Sequence, residues 1–515
     1  MKAISVQQMK ELDQRSIKEA KIPSFVLMER AGFACGEKII EFIEDRIHLN
    51  HVKRFVIITG KGNNGGDAYV VARYLYENTD INIIIYSICD IEKFSPESQK
   101  HAGLIIEDVD YSIKKKITEN DFSKGDIIID GLLGTGISGS LKKPYDSWIK
   151  TVNSTFLTVI SLDVPSGMDA DNGTFKDDCI MADMTITIAL PKRGLVENQG
   201  PEYCGRLRCV DIGIPQEYID ETESDFDIYF SSDAKKSLSR LPMKSYKNSL
   251  GSVLVIGGSK EYYGAPFLAA LSAQRSGAGI VRVAVPESIE IIPDAALSLI
   301  VAKINDTGKG YFCMESLKDL KPLIDKSDII ILGPGIGTQR DTFLFVREIL
   351  KTPKPVIIDA DALNIIAESP EIYHRNDSNI LTPHPGEMKR LLEAFELESF
   401  NDKTREEKAT ALAGCLDATI VFKGSRTIIA SPDGQITVNS SGCPALATAG
   451  SGDSLTGIIA ALNATAHEDY YHATAAAVFI HGMTGEISPF GNRGFIADDI
   501  QALIPEAMLR ISPFA

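Results

Sequence analysis

The chain has 515 residues and a formal net charge of −17, with 53 Lys and Arg residues against 70 Asp and Glu residues. This length exceeds what one hydrophobic core usually supports, so it predicts two domains. The acidic excess argues against nucleic acid and anionic membranes as partners, because binding to either requires clustered Lys and Arg.

The N-terminal sequence MKAISVQQMKELDQRS lacks the apolar run of a secretion signal, and no apolar stretch is long enough to span a membrane. The eight cysteines are scattered without a C-x-x-C pair, which argues against structural zinc and a disulfide framework. We therefore expect a cytoplasmic protein with reduced cysteines.

Apolar runs alternate with segments of helical length in the first half of the chain. The runs are RFVIITG, INIIIYSI, DIIIDGLL and LTVISLDV. Such alternation is typical of a parallel sheet with crossover helices, in which ligands lie at the carboxyl ends of the strands. The loops GKGNNGGD, GLLGTGISG and DVPSG follow these runs, so we expect them at one edge of one sheet.

Between Ile212 and Ser249 the chain is charged and lacks a sustained apolar period. We place the domain boundary in this segment, with domains at residues 1–220 and 221–515. A second series of strands is predicted from SVLVIGGS, IVRVAVPE, DIIILGPGIG, PVIIDADALN, NILTPHPGE and ATIVFKGS. The sequence SPDGQ at 431–435 predicts a turn between two further strands. Both halves are thus predicted to be α/β domains.

The loop TAGSGDSLTG at 448–457 has the composition of a phosphate site. Gly450, Ser451 and Gly452 can present backbone amides to an anion at a helix N-terminus. Asp453 follows them, and a carboxylate there would repel phosphate unless it handles the proton of a substrate hydroxyl. The alternative is that Asp453 only caps the helix.

Two further motifs accompany this loop. His384 is held between prolines in LTPHPGE, where a fixed imidazole suits substrate recognition. Lys423 precedes Gly424 in VFKGSRT, a pattern that suits nucleotide binding through an ammonium group and backbone amides. A structural histidine and an exposed hairpin lysine are the respective alternatives.

Oxygen-bearing side chains follow the strands of the first half. They are Asn63, Asn64 and Asp67 in GKGNNGGD, Asp130 and Asp163 at later strand ends, and Ser166 in DVPSG. Oxygen ligands without His or Cys favour a hard cation, and the loop at 134–140 could close over a phosphate. The alternative is a set of Asx-turns and helix caps.

The motifs of the second half, in their order, resemble the ADP- or ATP-dependent NAD(P)H-hydrate dehydratases of the ribokinase-like superfamily. The resemblance covers roughly residues 230–515 and rests on LVIGGS, YYGAPFLAA, RSGAG, GPGIG, IIDADALN, LTPHPGE, VFKGSRT and AGSGDSLTG. It implies that the hydrated nicotinamide contacts Ala265, Gly337, His384 and Asp453. It also implies that ADP or ATP, with Mg²⁺, contacts Lys423, Gly424, Ser425, Arg426, Thr427 and Gly452. Tyr246 stands where the family often has histidine, and Ala449 and Ser451 replace a glycine and a threonine.

The first half resembles the NAD(P)H-hydrate epimerases over roughly residues 1–215. The matching motifs are MKELDQRSIKEAKIPSFVLMERAG, GKGNNGGD, DGLLGTGISGS and SLDVPSG, with Ala68 where a glycine is common. The resemblance implies a potassium ion held by Asn64, Asp130 and Ser166. It implies a hydrate bound by Asn63, Asn64, Gly65, Gly66, Asp67, Gly134, Thr135, Gly136, Ile137, Ser138, Gly139, Ser140 and Asp163.

Together the two resemblances imply a bifunctional, homo-oligomeric repair enzyme with a Rossmann-like three-layer sandwich followed by a ribokinase-like α/β domain. The first domain would interconvert the R and S epimers of NADH hydrate and NADPH hydrate, with Asp163 moving protons. The second would dehydrate the S epimer with ADP or ATP, with Asp453 as the catalytic residue. An ordinary small-molecule kinase in the second half, and a nucleotide-binding regulatory module in the first, are the alternatives.

Overall fold

The computed structural model describes residues 1–137, 139–238, 240–290, 293, 297–466 and 469–514. The chain forms two compact units, Met1–Ile228 and Tyr229–Ala515. The first unit extends beyond the expected boundary at residue 220, because the following residues hydrogen-bond to the N-terminus. Ala3 N donates to Phe226 O at 3.1 Å, and Ile228 N donates to Met1 O at 2.7 Å.

The first unit contains these strands and helices: α1 Val6–Lys18, α2 Ser24–Arg46, β1 Arg54–Thr59, α3 Asn63–Asn78, β2 Asn82–Ser87, α4 Pro96–Gly103, β3 Asp110–Ile113, β4 Asp126–Gly131, α5 Tyr145–Ser154, β5 Thr158–Leu162, β6 Met184–Ile188, α6 Gly200–Tyr203, β7 Arg206–Val210 and α7 Gln216–Glu221. Within the described residues its sheet has seven parallel strands in the order β3-β2-β1-β4-β5-β6-β7.

The isoleucine-rich strands of this sheet are buried on both faces. Phe55 and Ile57 of β1 pack on one side with residues of α2 and α3, whereas Val56 and Ile58 pack on the other side with α5. Branched side chains stabilise such strands because they fit the pleated surface. The unit is therefore a three-layer sandwich of the predicted Rossmann-like type, and the strand order reverses between β1 and β4, where ligands bind in such sheets.

The second unit contains these elements: β8 Asp227–Tyr229, whose last residue opens the unit, α8 Ser231–Ser237, β9 Ser252–Ile256, α9 Ala265–Arg275, β10 Ile280–Pro286, β11 Ile300–Ile304, α10 Leu317–Asp325, β12 Ile329–Leu332, α11 Arg340–Ile349, β13 Val356–Ile358, α12 Asp361–Glu368, β14 Ile380–Leu381, α13 Pro385–Ala394, α14 Arg405–Leu416, β15 Thr419–Phe422, β16 Ile428–Ala430, β17 Ile436–Asn439, α15 Ser451–Asn463, α16 Tyr470–Ile487, α17 Gly491–Gly494 and α18 Ala497–Ile511.

The sheet of this unit runs β11-β10-β9-β12-β13-β14-β15-β16-β17-β8. Strands β11 to β15 are parallel, and β15, β16 and β17 are antiparallel. The turn predicted from SPDGQ is confirmed, because Ser431 N donates to Gln435 O at 3.0 Å between β16 and β17. Alanine-rich helices α9, α15 and α16 share one core with the sheet. The predicted α/β class is thus confirmed for both units.

No helix in the described ranges is both long enough and apolar enough to cross a membrane.

Candidate active sites

The first site lies at the strand reversal of the first unit and depends on glycine. A Cβ atom on Gly60 would lie 1.9 Å from Leu132 O, and one on Gly65 would lie 2.1 Å from Gly60 O. The backbones after β1 and β4 therefore approach each other as closely as glycine permits. Helix α3 begins here, so its N-terminus and the side chains of Asn63 and Asn64 face the edge of the sheet.

Asn64, Asp130 and Ser166 are brought together around Leu133. Ser166 Oγ lies 2.6 Å from Asp130 Oδ1, and Asn64 Nδ2 donates to Leu133 O at 2.9 Å. Burial raises the pKa of the Asp130 carboxyl, although hydrogen bonds from Ser166 oppose this. The buried Oδ1 atom of Asn64 has no hydrogen-bond partner among the described residues. This is a buried cluster of oxygen atoms with unused acceptor capacity.

Gly134, at the start of the predicted loop 134–140, lies against this cluster, because a Cβ on it would lie 3.1 Å from Asn64 Cβ. Cβ atoms on Gly136 and Gly139 would meet nothing within 4 Å in the described part of the chain, which leaves room for a ligand. Thr135, Ile137 and Ser140 lie in the same loop, and Ser138 lies outside the described residues.

Asp163 follows β5 in a left-handed backbone conformation with φ +63°. Its Oδ1 atom accepts from the buried Lys192 Nζ at 2.5 Å and from Ile188 N at 3.2 Å. Two more carboxyls belong to this cluster, since burial and the Asp163 charge raise the pKa of Asp13 to about 6 and that of Asp67 well above its ordinary value. Sequence reasoning missed Lys192 and Asp13, because nothing in PKRGL or KELDQ shows that these side chains turn inward.

Ala68, one of the departures from the family pattern, is fully buried within α3. A Cβ on Gly131 would meet the Ala68 Cβ at 2.4 Å, so β4 packs closely against this residue. Alanine has a higher helix propensity than glycine, and the departure is compatible with the local structure.

The second site forms at the N-terminus of α15. Gly450, with φ +87°, is the N-cap residue, so the alternative that Asp453 is the N-cap is wrong. Burial and, after it, the nearby Asp359 carboxylate raise the pKa of Asp453 to about 7 against the opposing charge of the Lys423 ammonium. A carboxyl group with such a pKa can exchange a proton near neutral pH.

Lys423 is paired inside the protein and is not an exposed hairpin lysine. Its Nζ atom lies 2.7 Å from Asp359 Oδ1, and the two side chains are 18% and 2% exposed. A Cβ on Gly452 would lie 3.3 Å from Lys423 Nζ, so the ammonium lies beside the glycine loop. Asp359 was missed as a site residue, although it lies in the motif IIDADALN.

His384 is the N-cap residue of α13. Its Nδ1 atom accepts from Gly386 N at 3.0 Å and from Glu387 N at 3.4 Å. Burial and the neighbouring Lys423 lower the pKa of His384, and because Nδ1 accepts these two hydrogen bonds, the neutral ring carries its proton on Nε2. Its Nε2 atom lies 3.4 Å from Glu387 Oε1, and the side chain is 52% exposed, so this N–H group is also accessible to a ligand.

Ala265 and Gly337 are connected to the N-terminus of α15 through neighbouring residues. Ala265 is the first residue of α9, and Leu268 one turn later would lie 2.6 Å from a Cβ on Gly450. Gly337 has φ +81°, and its N–H group donates to Asp361 Oδ2 at 2.9 Å. The Asp361 carboxylate in turn raises the pKa of Asp453.

The loop at 423–427 is shaped by Arg405, which sequence reasoning also missed. The Arg405 guanidinium donates to the carbonyl oxygens of Phe422, Lys423, Ser425 and Arg426. Gly424 has φ +145°, and Thr427 Oγ1 donates to its carbonyl oxygen at 3.0 Å. The Arg426 side chain is buried and donates to Ser440 O, so it does not face the loop's ligand side.

His481 is a further missed residue, and it supports the glycine loop from α16. Its Nε2 atom lies 3.1 Å from Ser451 Oγ and 3.0 Å from Ser451 O. Burial lowers the pKa of His481 to about 4, so the imidazole is neutral. It holds Ser451 without adding charge to the anion site.

Comparisons with known proteins identify the family of both halves of the chain. The family model described as NAD(P)H-hydrate dehydratase matches residues 253–504, and that described as YjeF-related protein N-terminus matches residues 24–194. The bifunctional NAD(P)H-hydrate repair enzyme Nnr of Moorella thermoacetica is 33% identical over 98% of this chain and 96% of its own length. That of Coxiella burnetii is 33% identical over 98% of both chains.

A solved structure of the ADP/ATP-dependent NAD(P)H-hydrate dehydratase from Bacillus subtilis, co-crystallised with ATP/Mg²⁺, is 30% identical to this chain. It covers 56% of this chain and 99% of its own, with a TM-score of 0.47.

The fold defines a two-domain α/β protein, with one candidate ligand site at the sheet edge of each unit. The chain belongs to the family of bifunctional NAD(P)H-hydrate repair enzymes. The resemblance inferred from the motifs is thereby confirmed.

Proposed function

We propose that the protein repairs hydrated nicotinamide nucleotides. The first unit interconverts the R and S epimers of NADH hydrate and NADPH hydrate, and the second converts the S epimer to NADH or NADPH while consuming ADP or ATP. The observation that carries this proposal is Asp453, a buried carboxyl whose pKa is raised to about 7, in the first turn of α15 directly after the glycine loop and within electrostatic reach of the Lys423 ammonium.

In the second unit, Asp453 takes the proton of the substrate hydroxyl while that oxygen attacks the terminal phosphorus of the nucleotide. An O–P bond forms, and AMP or ADP leaves. The lone pair of the ring nitrogen then expels phosphate, and loss of a proton from the adjacent ring carbon forms the double bond. Phosphate is a far better leaving group than hydroxide, which explains why a dehydratase would have a kinase-like fold.

The loop residues provide the binding side of this reaction. Lys423 and the amides of Gly452 and its neighbours are suited to the nucleotide phosphates, together with the loop at 424–427. Ala265, Gly337 and His384 are proposed to contact the hydrated ring. Mg²⁺ is proposed to bind together with the nucleotide and to neutralise the charge of its phosphate oxygens.

In the first unit, a proton must reach the departing hydroxyl and must be removed when water returns to the opposite face. The ring nitrogen supplies the electron pair that makes this departure possible. Asp13 and Asp67, whose pKa values are raised, can supply a proton, and the Asp163 carboxylate can accept one. Residues 63–67 and 134–140 are proposed to hold the hydrate around these groups.

Asn64, Asp130 and Ser166 fit a potassium ion. The unpartnered, buried Oδ1 atom of Asn64 supports this assignment, because a cation would satisfy its acceptor capacity. When bound, the ion would supply positive charge that attracts the substrate's phosphates. The cytoplasmic location and homo-oligomeric state expected from the sequence stay predictions.

Absorbance in the reduced-nicotinamide band tests the proposal. The full chain is mixed with epimeric NADH hydrate, K⁺, Mg²⁺ and either ADP or ATP. Recovery from both epimers supports both activities, and recovery from the S epimer alone removes the epimerase assignment. Asp453→Asn should abolish recovery while nucleotide still binds, and Asp163→Asn should abolish only interconversion of the epimers.

The small-molecule kinase is the second candidate, because the same carboxyl and anion loop would serve phosphoryl transfer to any alcohol. Product analysis separates the two functions. A kinase accumulates a phosphorylated alcohol, whereas the dehydratase releases inorganic phosphate together with NADH or NADPH.

A further inference from the structure

A buried lysine, Lys192, lies in the interior of the first unit and has no assigned role in the proposed epimerisation. Lys192 is 1% exposed, although lysine is rarely buried without a specific partner. Its Nζ atom donates to Asp163 Oδ1 at 2.5 Å, to Ile188 O at 2.8 Å and to Thr187 Oγ1 at 3.5 Å. The ammonium group is therefore held in one position by the end of β6.

Within the described residues, the hydrogen bonds to the Asp163 carboxylate involve only one of its two oxygens. Oδ1 accepts from Lys192 Nζ, from Ile188 N at 3.2 Å and from Thr187 Oγ1 at 3.4 Å. Oδ2 receives no hydrogen bond in the part of the chain that the structure describes. The Asp163 side chain is 16% exposed, so the carboxylate has one anchored oxygen and one available oxygen.

The groups around this pair are acidic. Asp13 comes from α1 and Asp67 from α3, and both have raised pKa values because they are buried near the Asp163 charge. The Cys35 thiol of α2 and the Cys209 thiol of β7 also face the pair, and burial raises the pKa of each. Lys192 opposes the rise at all four groups, so its positive charge acts on the whole cluster.

We propose that Lys192 is a positioning residue of the epimerase site, which anchors Asp163 through Oδ1 and places a positive charge beside it, so that Oδ2 is left to accept the substrate's proton. This inference rests on the proposed epimerase function. Lys192 itself does not touch the substrate. Its role is to orient the carboxylate group that does.

The test is the pH dependence of epimerisation by the full chain. Purified R epimer of NADH hydrate is incubated with K⁺ and without nucleotide, and the epimers are separated by chromatography between pH 5.5 and 8.5. Lys192→Met should lower kcat by about 100-fold, the scale of one acid–base contribution, and change KM by less than about 3-fold. It should also move the pH of half-maximal rate upward by about one unit, because an opposing charge is lost.

Lys192→Arg keeps the charge and should keep the wild-type pH midpoint. Lys114→Met is the matched control, because Lys114 pairs with Asp121 in the same unit but does not touch the cluster. It should leave both kcat and the midpoint unchanged. Circular dichroism and thermal melting report whether each variant folds. Should Lys192→Met fail to fold, Lys192→Gln replaces it, with the same expected shift of the midpoint.

Wild-type kcat and an unchanged midpoint in the neutral variants would overturn the inference, as would equal upward shifts in Lys192→Arg and Lys192→Met. These outcomes differ from failure of the proposed function, in which the wild-type chain itself does not interconvert the epimers.

Discussion

The charges around Asp453 predict the direction in which substitutions shift the pH profile of dehydration. Asp359 raises the pKa of Asp453 and Lys423 lowers it, so removing one or the other should move the pH profile of dehydration in opposite directions. The proposed base works when deprotonated, so kcat should rise with pH through about 7, the raised pKa of Asp453. Asp359→Asn removes a like charge and should move this midpoint downward.

A neighbouring charge commonly shifts a carboxyl pKa by about 1–3 units, and Lys423 partly neutralises Asp359, so we expect the low end of that range. A midpoint lowered by about one unit corresponds to about 1.4 kcal/mol. Lys423→Met should raise the midpoint by a similar amount. The assay is kcat for the S epimer at saturating nucleotide, measured from pH 5 to 9.

The matched control for Asp359→Asn is Asp341→Asn. Asp341 forms an exposed pair with Lys309 in the same unit, with Nζ and Oδ2 2.7 Å apart, and it does not act on Asp453. Its substitution should leave the midpoint unchanged. Midpoints that stay in place or move in the same direction in Asp359→Asn and Lys423→Met would refute the assignment of Asp453 as the base.

Three further predictions concern stability, nucleotide binding and the cation. The pKa of Asp453 rises from 3.8 to about 7 on folding, so between these two pH values the folded state binds more protons than the unfolded state, and the free energy of unfolding falls as pH rises. Asp453→Asn should therefore stabilise the second unit at pH 8 by about 2 kcal/mol, which corresponds to a Tm rise of about 4 °C. The same substitution should have no such effect at pH 3, where the carboxyl is protonated in both states. In Arg405→Lys, the lysine cannot donate hydrogen bonds to all four carbonyl oxygens that the guanidinium reaches, so KM for ADP and ATP should rise by about 10-fold while epimerisation is unchanged. An unaltered KM would exclude a role for Arg405 in shaping the loop at 423–427. Ser166→Ala should raise the K⁺ concentration for half-maximal epimerisation by about 10-fold without affecting dehydration of the S epimer, and an identical K⁺ titration would remove Ser166 from the cation site.

Local sequence patterns predicted much of the fold. The runs rich in isoleucine and valine became β1, β4, β9 and β12, because branched side chains in a continuous apolar run are stable only when both faces of a strand are covered. The glycine loops lie at the ends of these strands, as expected for parallel sheets. The short strand β3 was not predicted, because its sequence, DYSI, is largely exposed and has no apolar run.

The same patterns identified the main candidate site residues. Asp453, His384 and Lys423 were selected from motifs, and the structure places Lys423 beside the glycine loop and within the electrostatic reach of the other two. Asn64, Asp130 and Ser166 likewise meet around Leu133. Their assignment to ligands stays a proposal.

By itself the sequence determined the two α/β halves, the family and the loops that follow each strand, because these depend on local periodicity and on motifs that are contiguous in the chain. Only the tertiary structure decided that Lys192 faces Asp163, that Asp359 faces Lys423, and that Arg405 holds the loop at 423–427. Each of these charges is placed by strands and helices distant in sequence, and its protonation depends on burial and on neighbours that no local pattern contains.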